Sequence, residues 1–565
     1  MISVSGKNWE EISLNKRLVQ KIKIEHSLSL TTSKLIIDRG FSKREIHSLM
    51  NNLELYNPFF KKKDFISAAE ILRKHINKRN KILIIGDYDV DGCTSTSLIV
   101  NFLNKFNVKN SYYIPDRIKD GYGANLNLIK RLIKDNLPKL VIMVDCGSSS
   151  NDTVDFLNEK NINSIIIDHH DINHPYPKST SLINPKKNCD YKKYDYLCSA
   201  FLTYLLIDLY VKKNNLKLNI SDQLIYVAIA TIADVMPLRE ENRFVIKDVI
   251  ENFDLNKNIF LKYLFKLNKI NKKLDFDDIG FLIAPSINSA GRIDNANKVV
   301  ELLTCNDELK IKKITANLFK FNEKRKKIEN LIMEKIKYRK LINEKGVIFY
   351  YEPEIHEGII GIIASKLKDI LNKPVIVFTK SNDLIKGSAR SIPSFNIGQF
   401  IHKALNNKIL STGGGHNLAA GLSLQKNNLN EFKIFLDEIY IKNKIKKKNK
   451  FFSKISFSSI NMNFYKELYK FAPFGNQNTK IIFLIENIKI VNPIIIKGKF
   501  ISCFVKSKMS KLVKAVSFNP IESPVSINLM SQKKEISILA HMSKNNWNNK
   551  SNIQLEIVDV ISNNT

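Results

Sequence analysis

Residues 81–92 read KILIIGDYDVDG, an apolar run followed at once by three alternating aspartates, and this stretch decides the fold. A short apolar run bounded by turn residues is typical of a buried strand in a parallel sheet. The runs LVIMV at 140–144 and SIII at 164–167 have the same form, and each ends directly in an aspartate. Ligand sites in open α/β sheets collect at the carboxyl ends of strands. Asp87, Asp145 and Asp168 are therefore predicted to share one crevice.

The chain of 565 residues is longer than a single hydrophobic core supports, so several domains are expected. Helix-periodic stretches alternate with the apolar runs in the first half, which predicts an α/β class with a parallel sheet. We expect four segments: a parallel-sheet domain with an N-terminal extension at 1–305, a connecting helix at 306–345, a smaller α/β domain at 346–444 and a β-barrel module at 445–565.

Lys and Arg total 89 against 55 acidic residues, a formal net charge of +34. Such an excess is the electrostatic footprint of a partner with repeated phosphates. The chain is also crowded with Lys, Asn and Ile, so part of the excess reflects composition rather than function. Charge by itself favours nucleic-acid binding without establishing it.

The six cysteines are scattered and never form a CxxC pair, which favours reduced thiols over a disulfide framework or a zinc site. The sequence shows neither a secretory leader nor an uncharged apolar run of about 18 residues. We therefore expect a cytoplasmic protein that does not enter a membrane.

Asp87, Asp89 and Asp91 alternate directly after the first strand, and Gly92 is predicted to let the chain turn into a Thr/Ser-rich helix. Alternating carboxylates on a turn suit hard cations, because Mg²⁺ and Mn²⁺ prefer oxygen ligands. A calcium loop or a solvated turn is the alternative for this motif alone.

Three further segments place donor side chains at the ends of elements: VDCG with Asp145, DHH with Asp168, His169 and His170, and TIADVMPL with Asp234. Alone, Asp145 and Asp234 are each consistent with a helix cap, and the two histidines with ordinary surface residues. Neighbouring side chains of extended backbone point to opposite faces, so one histidine is expected to bind metal while the other faces substrate or a supporting partner. Together the segments offer a ligand set for two Mn²⁺ or Mg²⁺ ions.

The motifs DYDVDG, VDCG, DHH and ADVMPL, in this order, resemble the four signature motifs of the DHH phosphoesterases. The segments YIPDRIKDGYGAN at 113–125, ENRFVI at 241–246 and APSINSAGRI at 284–293 are similar to the single-strand-specific exonucleases of that family. In the smaller domain, IHEGIIGIIASKL at 355–367, GSARS at 387–391 and GGGHNLAAG at 413–421 resemble the DHH-associated domain. The last segment is only faintly similar to an oligonucleotide-binding (OB) barrel.

The resemblance implies a role for each matching residue. The metal ligands it implies are Asp89, Asp91, Asp145, His169 and Asp234. Asp87 and Asp168 either ligate or orient the ligands, and His170 either contacts the scissile phosphate, assists proton transfer or only supports its neighbours. Residues expected to hold the nucleic acid are Arg117, Tyr122, Arg292, Ser388, Arg390, Gly414, Gly415 and His416. Any of these arginines could instead form a structural ion pair.

The activity that the resemblance implies is degradation of single-stranded DNA from the 5′ end to 5′-mononucleotides, in recombination and repair. Single-stranded DNA is the expected partner, a single-strand-binding protein a further one, and a monomer the expected state. One alternative is a DHH hydrolase of short oligoribonucleotides or nucleotides, a kind of protein that lacks the connector and the third domain. Another is a non-catalytic nucleic-acid-binding scaffold, a kind of protein that has lost its metal ligands.

Overall fold

The structure is a computed structural model that describes residues 1–51, 54–116, 119–134, 137–189, 191–293, 295–336, 341, 344–381, 383–442, 448–507, 511–531, 535–547 and 550–562. It divides into two compact units. One comprises residues 41–326 and 473–478, and the other residues 1–40, 327–472 and 479–565. We call them the sheet unit and the barrel unit. No helix of the described residues is both long and apolar enough to cross a membrane.

The sheet unit is built on five parallel strands, and the three apolar runs form its three central strands. Their spatial order is Asn110–Tyr113, Ile82–Ile85, Leu140–Val144, Asn163–Ile167 and Ser181–Ile183. Successive residues of a strand pack into two different cores: Ile82 and Ile84 into one, Leu83 and Ile85 into the other. A parallel sheet covered on both faces needs such continuous apolar strands, because each face must be buried.

Some helices of this unit lie between its strands along the chain, and others follow the last strand. The bounds of the helices are Lys43–Ser48, Lys63–Asn77, Val90–Asn104, Leu126–Ile133, Asn151–Glu159, Ser199–Lys213, Leu224–Ala233, Glu240–Asn252, Ile259–Leu267, Phe276–Asp278, Ala284–Ile293 and Asn297–Thr304, with a π-helix at Ile279–Ile283. The division between the two units falls after Lys326, inside the helix Glu308–Lys335. Short 3₁₀ turns lie at Lys192–Tyr194, Ser221–Gln223 and Leu255–Lys257. The helix Glu308–Lys335 corresponds to the connecting helix expected at 306–345, and it ends ten residues earlier than that interval.

The barrel unit contains a five-stranded mixed sheet and a barrel. The sheet has the order Thr412–His416, Ala419–Leu424, Leu384–Arg390, Val375–Ser381 and Ile348–Tyr351. The barrel strands follow the order Ser453–Lys454, Phe483–Ile496, Phe500–Lys506, Val513–Ser517, Lys550–Ser562 and Ile536–Trp547. Pairing of Phe483–Ile496 with Ile536–Trp547 closes the barrel, which confirms the expected OB-like module.

The helices of the barrel unit are Lys16–Glu25, Leu30–Arg39, Glu357–Leu371, Ile397–Asn406, Leu429–Lys442, Met462–Tyr469 and Pro524–Met530, with 3₁₀ turns at Lys426–Asn428 and Phe457–Ser459. The N-terminal segment 1–40, which we assigned to the first domain, belongs to this unit. Its strand Asn8–Glu11 pairs in parallel with Lys448–Phe451. The indole of Trp9 also donates a 3.0 Å hydrogen bond to the fully buried Asp559. The four-segment division remains a prediction.

Candidate metal centre and nucleic-acid interface

The aspartates that follow the three apolar runs lie at one edge of the parallel sheet. Asp87 comes after Ile82–Ile85, Asp145 after Leu140–Val144 and Asp168 after Asn163–Ile167, and these strands are neighbours in the sheet. Asp234 arrives from another direction, at the carboxyl end of helix Leu224–Ala233. A carboxylate gains nothing as a cap there, because the helix dipole is negative at that end.

His169 lies at the centre of this cluster. Its Nε2 lies 3.4 Å from Asp145 Oδ1, 3.4 Å from Asp234 Oδ2 and 3.7 Å from Asp91 Oδ2. The described residues form three groups of possible metal ligands, and the donor atoms within each group lie within 4.8 Å of one another. The groups are Asp145, His169 and His170; Asp91, His169 and Asp234; and Asp87, Asp89 and Asp145. Asp145 and His169 each belong to two groups, so the donors form a continuous site wide enough for more than one ion.

The carboxylates are held in an environment that penalises their charge. Burial raises the pKa of Asp91 to about 6, with Asp89 adding to the effect and the Ala200 and Ser199 amides opposing it. Burial and neighbouring carboxylates raise the pKa of Asp145 and of Asp234 well above the usual range. Asp145 Oδ2 is buried and has no hydrogen-bond partner in the described part of the chain. Buried carboxylates that repel one another are stabilised by a cation, so these residues fit divalent metal ions.

Backbone amides orient Asp91 from a place that the motifs do not reveal. The N–H groups of Ser199 and Ala200, in the first turn of helix Ser199–Lys213, each donate to an Asp91 carboxylate oxygen at 2.8 Å. The Ser199 hydroxyl also donates to Asp145 Oδ1 at 3.1 Å. A helix N-terminus favours negative charge, which partly offsets the cost of burying Asp91. The sequence signal for this contact is weak: a serine that opens a long apolar helix.

Asp168 accepts hydrogen bonds from both histidines and belongs to none of the three groups of possible metal ligands. Its carboxylate accepts hydrogen bonds from the backbone amides of Ser148, His169 and His170, and from His170 Nδ1 at 2.8 Å. Burial raises the pKa of Asp168, but the His170 imidazole and these amides lower it by more, to below its usual range. Burial lowers the pKa of His170, but Asp168 raises it by more, to about 9.

The two histidine rings do not point to opposite faces, as extended backbone would require. Their centroids lie 4.7 Å apart, and both rings contribute to donor groups that include Asp145. The expectation was wrong because the strand Asn163–Ile167 has already ended, and Asp168 draws the backbone amides of both histidines toward one carboxylate oxygen.

Close backbone packing explains the glycines around the aspartate loop. Gly92 lies in the first turn of helix Val90–Asn104 and not in a turn before it, which corrects the expected reason for a glycine there. A Cβ at Gly92 would lie 2.3 Å from the carbonyl oxygen of Asp87. A Cβ at Gly291 would lie 2.4 Å from the carbonyl oxygen of Tyr88. Glycine at these positions lets helices approach the loop that carries Asp87 and Asp89.

Tyr122 lies beside the donor cluster, and Arg292 lies in the helix that packs on the aspartate loop. The Tyr122 hydroxyl donates to the Asp145 carbonyl at 3.2 Å and lies 3.2 Å from His170 Nδ1. Burial and the Asp145 carboxylate raise the pKa of Tyr122 above its usual range, so the hydroxyl keeps its proton. Arg292 is in the last turn of helix Ala284–Ile293, directly after Gly291. Arg117 lies outside the described residues.

The remaining candidates share the mixed sheet of the barrel unit. Strand pairing aligns Ser388 with Gly421 and Gly414, and Arg390 with Ala419 and His416. A Cβ at Gly414 or at Gly421 would meet nothing within 4 Å, so the space beside this row of the sheet is open. Arg390 donates to the Ser388 hydroxyl at 3.2 Å and to the Ala389 carbonyl at 2.9 Å. Gly415 has a φ of 154°, where side chains are strained, and it is exposed with His416.

Three family models match the chain: the DHH family N-terminal domain at residues 81–232, the DHHA1 domain at 343–442 and the RecJ OB domain at 453–559. Fold and site thus define the class, a DHH phosphoesterase. The single-stranded-DNA-specific exonuclease RecJ of Haemophilus influenzae is 32% identical over 69% of this chain and 70% of its own length. The chain therefore belongs to the RecJ family of single-stranded-DNA-specific exonucleases.

Two other comparisons cover nearly all of the chain. The RecJ exonuclease of Bacillus subtilis is 29% identical over 98% of this chain and 71% of its own length. The crystal structure of RecJ from Thermus thermophilus in complex with Mn²⁺ has the same fold, with a TM-score of 0.84 at 22% identity, covering 99% of this chain and 80% of that one. The match of the third family model to the barrel argues against a small-substrate hydrolase, and the complete donor set argues against a scaffold.

Proposed function

We propose that this chain is an exonuclease that degrades single-stranded DNA from the 5′ end and releases 5′-mononucleotides with the help of two Mn²⁺ or Mg²⁺ ions. One observation carries the chemistry: donor side chains from three neighbouring strand ends and one helix end form overlapping groups, and the ligand atoms within each group lie within 4.8 Å of one another. The buried Asp145 Oδ2 has no hydrogen-bond partner among the described residues. Family membership supplies the substrate class.

The residues that would hold the ions are Asp87, Asp89, Asp91, Asp145, His169 and Asp234. When bound, two such ions activate a water molecule and stabilise the charge of an in-line phosphoryl displacement. The Thermus thermophilus relative was crystallised with Mn²⁺. Oxygen-rich sites with one imidazole suit Mn²⁺ and Mg²⁺ better than zinc, which takes sulfur and nitrogen ligands.

His170 is the residue that we assign to the scissile phosphate. Asp168 accepts a hydrogen bond from Nδ1 and fixes the ring, so Nε2 is left to donate to a phosphate oxygen. The Tyr122 hydroxyl, 3.4 Å from Nε2, borders the same position and would contact the substrate there. A ring that is held in this way is preorganised to donate to the substrate.

The face of the mixed sheet around Arg390 would bind the DNA backbone. A guanidinium beside a serine hydroxyl can hold a phosphate with two hydrogen bonds, and the open glycine positions let a chain lie close to the strands. Contacts to phosphates are tolerant of sequence, as an exonuclease requires. Gly414, Gly415 and His416 are proposed to share this role. Arg292, in the sheet unit, is proposed separately to bind a backbone phosphate.

Four finer points belong to the same proposal. We propose that the protein acts in recombination and repair, in the cytoplasm, as a monomer, and that it meets a single-strand-binding protein on its substrate. Their support is membership of the RecJ family together with the expectation from composition.

The test is an analysis of products. Purified protein with Mn²⁺ is incubated with a single strand, with the matching blunt duplex and with a dinucleotide, and the products are identified by mass spectrometry. The proposal expects that the single strand is degraded to 5′-mononucleotides and that the duplex stays intact. Hydrolysis confined to the dinucleotide would replace it with the small-substrate hydrolase, and binding without any product would replace it with the scaffold.

A further inference from the structure

Asn184 follows the edge strand Ser181–Ile183 and is 4% exposed. The strand pairs Ile183 with Ile167, and the Asp168 amide donates to the Ile183 carbonyl at 3.0 Å. The asparagine therefore lies next to the aspartate and the two histidines that end the neighbouring strand. None of the four signature motifs contains it.

Both polar atoms of the Asn184 side chain form hydrogen bonds. Its Nδ2 donates to the Ser148 hydroxyl at 2.7 Å and to the His170 carbonyl at 2.9 Å, and its Oδ1 accepts from the Lys186 amide at 2.8 Å. A carbonyl can only accept, so the amide has one possible orientation. Such a fully satisfied buried group restricts the backbone that it bonds.

These bonds close a ring of four residues. Asn184 bonds Ser148, the Ser148 amide donates to Asp168 Oδ2 at 3.0 Å, Asp168 Oδ1 accepts from His170 Nδ1, and the His170 carbonyl returns to Asn184. His170 is therefore fixed at its imidazole and at its carbonyl. Ser148 lies three residues after Asp145, so the same ring ties the loop of a proposed ligand to the loop of the histidines.

We propose that Asn184 is a positioning residue for His170, acting through this ring. The inference rests on the proposed function, because the role of His170 does. Asn184 touches neither the substrate nor the ions; it donates the two hydrogen bonds that hold the histidine loop against the loop of Ser148. Removal of a residue that orients a functional side chain typically costs about 10- to 100-fold in activity.

The test compares Asn184→Ala with Asn57→Ala. Asn57 is a matched control in the same unit: it is 5% exposed, and its Nδ2 donates to the Leu205 carbonyl and to Asp208, each at 2.8 Å. Each variant loses three hydrogen bonds, two donated by Nδ2 and one accepted by Oδ1, so a similar fall in Tm is expected. At a temperature where both are folded, Asn184→Ala should lower kcat by about 10- to 100-fold with KM within about threefold, while Asn57→Ala keeps kcat within about twofold.

The variant Asn184→Asp separates hydrogen bonding from packing. Aspartate has the shape of asparagine but, when ionised, donates no hydrogen bond and faces the His170 carbonyl. Its kcat should be no better than that of Asn184→Ala. A kcat for Asn184→Asp close to that of the wild type, or an equal loss in Asn57→Ala, would overturn the inference.

A second readout does not depend on activity. Histidine labelled with ¹³C at Cε1 is observed by NMR in metal-free protein, and the His170 signal is assigned by its loss in His170→Gln. The signal should shift in Asn184→Ala and stay in place in Asn57→Ala; an unchanged signal in Asn184→Ala overturns the inference. If the wild type hydrolyses no DNA, the proposed function fails while this readout still decides the role of Asn184.

Discussion

A single methyl group at Gly92 should disable the site. In Gly92→Ala, the new Cβ would lie 2.3 Å from the Asp87 carbonyl oxygen and 2.4 Å from the Asp87 amide nitrogen. These are backbone atoms, so no side chain can move aside. Ordinary contact distances require the Asp87 backbone to move by about 1 Å, and the same loop carries Asp89.

A displacement of about 1 Å in a catalytic arrangement costs about 100-fold in rate, which corresponds to about 2.7 kcal/mol of transition-state stabilisation. The assay is the initial rate of Mn²⁺-dependent release of nucleotides from a single strand, with Tm measured in parallel. Gly280→Ala is the control, because its Cβ would meet only Ile232 at an ordinary 3.4 Å. A rate for Gly92→Ala within about threefold of the wild type would refute the packing argument.

Three further predictions concern stability and binding. Mn²⁺ at about 100 times its Kd should raise the free energy of unfolding of the wild type by about 2.7 kcal/mol, visible as a rise in Tm. Asp145→Asn should lose this rise yet be no less stable than the wild type in EDTA, because the substitution removes a buried carboxylate that its neighbours repel. An undiminished rise in Tm would contradict the ligand assignment. Arg390→Lys should weaken single-strand binding by roughly tenfold in fluorescence anisotropy, because lysine lacks the guanidinium fork, and an unchanged Kd would remove Arg390 from the interface. Glu45→Gln should lower the free energy of unfolding by about 2 kcal/mol at pH 7, because Arg239 donates charge-assisted hydrogen bonds to both oxygens of the buried Glu45 carboxylate. Burial raises the pKa of Glu45 but Arg239 lowers it by more, so this stability is present above pH 4.5 and is lost as pH falls below it; a difference between wild type and variant in Tm that does not shrink on acidification would contradict the pairing.

The three central strands of the parallel sheet could be predicted because they are almost wholly apolar, whereas the edge strand Asn110–Tyr113 has the sequence NSYY and gave no such signal. A strand that is buried on both faces needs no pattern beyond a short apolar run, and each run here is followed by a polar residue that marks its end. The barrel was also predictable in outline, because its strands alternate between inward and outward residues: Ile501, Cys503 and Val505 are buried, and the residues between them are not.

Contacts between distant parts of the chain could not be predicted. The pairing of Asn8–Glu11 with Lys448–Phe451 joins segments more than 400 residues apart, and no local periodicity reports such a pair. The backbone amides that bind Asp91 are equally invisible, because every residue except proline carries the same N–H. Sequence motifs identify the side chains of a site but not the backbone amides that form hydrogen bonds with those side chains.

The directions of the two histidine side chains could not be predicted from the sequence, for a different reason. Alternation of side chains is a property of regular extended backbone, and it fails as soon as the strand ends. Asp168 accepts hydrogen bonds from both following amides, which brings the rings of His169 and His170 side by side. The sequence thus indicates which residues form the candidate site, while the direction in which each side chain points depends on hydrogen bonds that form only in the folded chain.

The measurement that tests the central claim most directly uses one single strand labelled at its 5′ end in one sample and at its 3′ end in another, with Mn²⁺ and with wild-type protein or Asp145→Ala. The account predicts that the wild type releases the 5′ label at once as a mononucleotide, that the 3′ label appears in mononucleotides only late, and that chelator or Asp145→Ala abolishes both. Early release of the 3′ label, or full activity in Asp145→Ala, would contradict it.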